Sequence, residues 1–149
     1  MNKKSFIALG LIIILTLTIF QFYKLYEYKE KQESIDSQFL LSFQGIAVGF
    51  KGIYDDPEDK SAQRFTSQTI DASNALYRYT SFFHDNKLLS SALSDLSFYL
   101  EYVDFNELKE EDKLKPFISL IIELQKNPSD IDSSEKLKEL VQRNFKEFY

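Results

Sequence analysis

Phe6-Ile-Ala-Leu-Gly-Leu-Ile-Ile-Ile-Leu-Thr-Leu-Thr-Ile-Phe-Gln-Phe22 carries no charge and lies between Lys3-Lys4 on one side and Tyr23-Lys24 on the other. As a helix rising ~1.5 Å per residue it covers roughly 26 Å, close to the ~30 Å hydrocarbon core of a bilayer. A basic start followed by an apolar run also suits a secretory signal. The run is longer than a usual signal core, however, and no small-x-small cleavage site follows it. Tyr23 and Tyr26 instead suit the aromatic belt of a spanning helix, with Lys24 and Lys29 reaching for the interface. The segment therefore reads as an uncleaved anchor. A short amino-terminal tail stays inside while the rest is threaded out, which predicts an extracytoplasmic C-terminal domain on the plasma membrane.

Working outward, Tyr26 to Ser37 is polar, and Glu27 stands four residues before Lys31, a spacing that supports a helix. The anchor is expected to continue through this stretch as a stalk. Apolar residues then recur at helical spacing as Ile35, Phe39, Phe43, Ile46, Phe50 and Ile53. Gly45, Gly49 and Gly52, three of the four glycines of the chain, fall inside that stripe. A glycine within a helix costs ~1 kcal/mol against alanine, so a cluster needs a reason. It offers a smooth face for close approach of another helix, from this domain, a partner or a second copy. Gly45, Gly49, Phe50 and Gly52 are thus a candidate helix-contact surface.

Asp55-Asp56-Pro57-Glu58-Asp59 lacks the alternating acids and the glycine of a calcium loop. It reads as a helix start, with Asp56 as N-cap and Pro57 at the first helical position. Ala62, Phe65, Thr69, Ala72, Leu76, Tyr79 and Phe83 then alternate steps of three and four. That is the seam of a long helix in an antiparallel bundle, ended by His84-Asp85-Asn86. A third helix follows on Leu89, Leu93, Leu96, Leu100 and Val103, with Ala92 and Tyr99 beside them. Asp104 to Glu111 loses the pattern and reads as a turn. A fourth helix is capped by Asp112, with Pro116 in its first turn and Phe117 to Leu124 making it the most apolar and most buried. Asp132-Ser133-Ser134-Glu135 is a capping box for a last helix carrying Leu137, Val141, Phe145 and Phe148.

The predicted architecture is all-α: an anchor over 1–24, a helical stalk over 25–37, and an antiparallel bundle of about four helices over 38–149. Beyond the apolar run of residues 6–22, 16 basic residues face 23 acidic ones, a balance that repels phosphate backbones and argues against nucleic acid. The absence of cysteine removes disulfides, thiolate zinc sites and iron–sulfur ligation. The use of Lys, Ile, Phe, Tyr and Asn suggests a bacterial source.

No catalytic residue, metal ligand or cofactor site emerges. His84 is the single histidine, and Asp85 beside it projects in a different direction on a helix. Ser90, Ser91, Ser94 and Ser97 lie on a helix without the glycine elbow of a nucleophile. Aromatic residues are more suggestive: Tyr77, Phe82, Phe98 and Tyr102 are a candidate pocket or exposed patch, since such rings anchor interfaces. The function expected is non-catalytic: a single-pass, membrane-anchored helical interaction domain at the bacterial envelope, an accessory subunit or an immunity- or exclusion-type factor, acting on a protein partner or a second copy. The alternatives are a bundle that holds a small molecule or peptide, and an enzyme that works through carboxylates.

Overall fold

A computed structural model describes residues 3–56, 58–103 and 111–146. The described residues form five α-helices and one short 3₁₀ turn, with no strand: α1 (Lys3–Asp55), α2 (Lys60–Tyr77), the turn Ser81–His84, α3 (Leu88–Tyr102), α4 (Glu111–Lys126) and α5 (Ile131–Lys146). The chain divides into two compact units, Met1–Ser34 and Ile35–Tyr149.

The first unit is the amino-terminal part of α1. It is the one described helix long and apolar enough to cross a membrane, and its most apolar window has no buried residue. Glu27 is gripped by Lys24 at 2.9 Å and Lys31 at 3.0 Å, which extends helical support past the apolar run.

The second unit is an up-and-down array in which successive helices run antiparallel. Ser42 pairs with Ser73 and Gly45 with Thr69 across α1 and α2. Gln63 pairs with Leu100 and Asn74 with Ser90 across α2 and α3. Glu123 pairs with Ser133 across α4 and α5. Helices α3 and α5 are parallel, as Lys138 on Ser91 and Phe145 on Phe98 fix. The stripe Phe39, Phe43, Ile46, Phe50 and Ile53 is fully buried, as its spacing predicts. So are Leu89, Ala92, Leu93, Leu96, Tyr99 and Leu100, which makes α3 the centre of the core. Helix α4 buries one face only, through Leu114, Phe117, Ile121 and Leu124, and leaves Ile122 exposed. It is therefore not the most buried element. A run of apolar residues around a helix overstates burial when only one side has a neighbour.

Other expectations need correction. Helix α2 ends at Tyr77 rather than near His84, because the Asp36 carboxylate accepts the Ser81 amide at 2.9 Å and the Ser81 hydroxyl at 2.6 Å, pinning a new turn. Its inward face is Thr66, Ser67, Ile70, Ser73 and Tyr77, one residue off the predicted seam. Phe65 is 52% exposed and Tyr79 points outward. The cause lies in α1, whose glycines admit a neighbouring helix only through small side chains. Thr66, Thr69 and Ala62 supply them. Asp59, not Asp56, caps α2 by accepting the Ser61 amide at 2.8 Å, and the Ser61 hydroxyl and amide hold its carboxyl below the usual range. Asp56 accepts the Glu58 amide at 3.2 Å in the preceding turn. Asp130, not Asp132, caps α5, taking the amides of Asp132 and Ser133 and the Ser133 hydroxyl. The described α4 begins at Glu111, so Pro116 lies beyond its first turn. Pro57, the turn over 104–110, and Phe148 lie outside the described residues.

The α1–α2 contact is sharply position-dependent. A Cβ on Gly49 would overlap Thr66 Oγ1 and lie 3.2 Å from the Thr66 Cα, whereas one on Gly52 would meet Ala62 at 3.5 Å, an ordinary contact. Gly49→Ala should lower unfolding stability by about 1–3 kcal/mol. Gly52→Ala should be neutral or stabilise by up to ~1 kcal/mol through helix propensity. Denaturant unfolding of the two variants side by side checks this.

Candidate functional site

The residues singled out in the sequence fall in three places. Gly45, Gly49 and Gly52 form the seat of α2, so that this face is taken up within the chain itself. Phe50 is buried in the core and stacked on Phe117, with ring centroids 5.8 Å apart and planes at 3°. The four aromatic candidates are split between two clusters. Tyr77 and Phe82 belong to a buried group around Phe39, whose ring lies 5.0 Å from Tyr77 and 6.2 Å from Phe82. Phe98 and Tyr102 lie at the end of α3, 4.5 Å apart, and are 53% and 68% exposed.

From that ledge a chain of rings leads inward. Phe98 meets Phe145 at 5.6 Å, Phe145 meets Tyr99 at 5.3 Å, and Tyr99 stacks on Phe117 at 5.6 Å. Each contact adds about 0.5–1.5 kcal/mol beyond the area it buries. The exposed pair is therefore mounted on the rigid core. Beside it, between α2 and α3, an open groove of about 480 Å³ is lined by Gln63, Arg64, Gln68, Asp71, Glu101 and Tyr102, with Ser67 and Leu100 behind them. A second open groove, of about 410 Å³, runs between α4 and α5 past Pro116, Lys136 and Arg143. Lys136 in its wall is held charged by its hydrogen bond to Asp132, which raises its pKa.

A third surface was not visible in the sequence. The register that sets Gly49 on Thr66 and Gly45 on Thr69 also sets Val48 level with Phe65 and Leu41 level with Ala72. All four are exposed. Phe65 and Ala72 both stand on the predicted core seam of α2, and both are exposed instead.

The serines of α3 bond to side chains of the neighbouring helices. Ser90 donates to Asn74 Oδ1 at 2.7 Å, and Asn74 Nδ2 donates to Ser94 at 2.8 Å. Ser97 lies 3.4 Å from Ser67, and Lys138 donates to Ser91 at 3.0 Å. These serines make a polar seam between α2, α3 and α5. His84 is exposed in the 3₁₀ turn with its ring against Phe83. Among the described residues no cluster of three or more His, Asp or Glu side chains is placed to hold a metal ion.

Asn86, expected only as part of the helix-ending His84-Asp85-Asn86 run, has a wider structural role. It is 1% exposed, and its amide nitrogen donates to Pro128 O at 2.9 Å, Asp130 O at 3.0 Å and Ser134 Oγ at 2.8 Å. Its side-chain oxygen accepts the Leu89 amide at 3.3 Å, and its own carbonyl accepts the Tyr77 hydroxyl at 2.6 Å. The one available signal was an amide in a turn between two apolar helices. No protein-family model, curated protein or solved structure matches the chain.

Burial, and secondarily the charge of Asp85, pushes the Tyr77 hydroxyl well above its ordinary value of 10.0. The unfolded chain therefore releases this proton at lower pH than the folded one. The stabilisation is complete below about pH 10 and declines as pH rises toward the folded value. Tyr77→Phe should cost about 1–3 kcal/mol at pH 8 by leaving the Asn86 carbonyl without its donor. The gap to wild type should narrow above pH 10, as measured by denaturant unfolding at pH 8 and pH 11.

Proposed function

We propose that this chain is a single-pass, membrane-anchored helical interaction module of the bacterial cell envelope, non-catalytic, with its folded unit extracytoplasmic. An accessory subunit or an immunity- or exclusion-type factor is the role that fits this description. The observation that carries the reading is the unburied apolar part of α1. A helix apolar on every side is stable only when something covers it. Residues 35–149 have built a complete core of their own from α1 to α5. Every buried side-chain nitrogen and oxygen among the described residues has a hydrogen-bond partner, so the folded unit needs nothing further for itself.

A protein partner is favoured over a small ligand because both grooves are open rather than enclosed, and small-molecule sites bury most of their ligand. The exposed Phe98–Tyr102 pair, fixed to the core through Phe145, has the character of an interface anchor.

Two measurements on the full chain expressed in bacterial cells test the proposal. The protein should stay in the membrane pellet through alkaline carbonate extraction, and external protease should degrade the folded unit in intact spheroplasts. Release into the supernatant removes the anchor. Protection from protease reverses the orientation. For the interaction, Phe98→Ala together with Tyr102→Ala should reduce partner capture by at least about tenfold while leaving the fold intact by circular dichroism, as expected for anchors worth ~2 kcal/mol or more. Unchanged capture removes this ledge from the interface.

A further inference from the structure

We draw no further inference here: the strongest candidate, the groove between α2 and α3 beside the exposed Phe98–Tyr102 pair, belongs to the interface already described, and Arg64, Asp71 and Glu101 along it bring charges of both signs that select no single partner chemistry.

Discussion

A single buried amide holds the two ends of the helical domain in register. Asn86 lies at the turn into α3, yet its side chain is bonded to Pro128, Asp130 and Ser134 at the turn into α5. These are the turns that set the directions of the two parallel helices at the heart of the core. A buried amide without its partners would cost ~1–3 kcal/mol, so competing registers of α5 against α3 are penalised more strongly than greasy side chains alone could achieve. Tyr77 extends the same network to the end of α2 through its hydroxyl. Asp36 and Ser81 tie the following turn back to α1. Hydrophobic burial supplies the bulk of the driving force, but these few polar contacts decide which arrangement it drives toward.

The two seams of α2 show a second principle at work. Against α1 it presents threonine, alanine and serine to glycine, and against α3 it presents glutamine, serine and asparagine to serine and a backbone carbonyl. Only Ile70 and Tyr77 give it a fully buried apolar grip. The bundle is therefore uneven, with a dense aliphatic and aromatic centre on α3 and beside it a helix packed largely through small and polar side chains. With its small side chains turned toward the glycines of α1, α2 carries the large ring of Phe65 outward.

Much of this was legible in the sequence. The all-helical architecture, the stripe of α1 and the stripe of α3 follow from three-and-four spacing of large apolar residues, and the structure buries both stripes except at Ile35, which is only half-buried. What escaped was governed by small and polar groups. The inward face of α2 shifts by one residue because hydrophobicity points to Phe65, whereas steric fit to the glycines of α1 brings in Thr66 beside Ala62 and Thr69, which the predicted seam already contained. The caps were placed two or three residues off because several acids and serines adjoin each helix start, and only geometry decides which oxygen reaches the free amides. The aromatic candidates were grouped by nearness in sequence, while the fold divides them between opposite ends of α3. Asn86 carries no periodic signal, because its partners lie more than forty residues away.

The up-and-down order of the helices has a consequence for how the chain is made. The α1–α2, α2–α3 and α4–α5 pairings join helices adjacent along the chain, while the α3–α5 contact and the Phe50–Phe117 stack between α1 and α4 close longer loops. Pairings of the first kind form progressively at low loop-closure cost, and those of the second wait for the later helices. As the polypeptide leaves the ribosome, each helix finds its neighbour already present to pack against. Only the last segment, carrying Ser134 and Phe145, completes the lock.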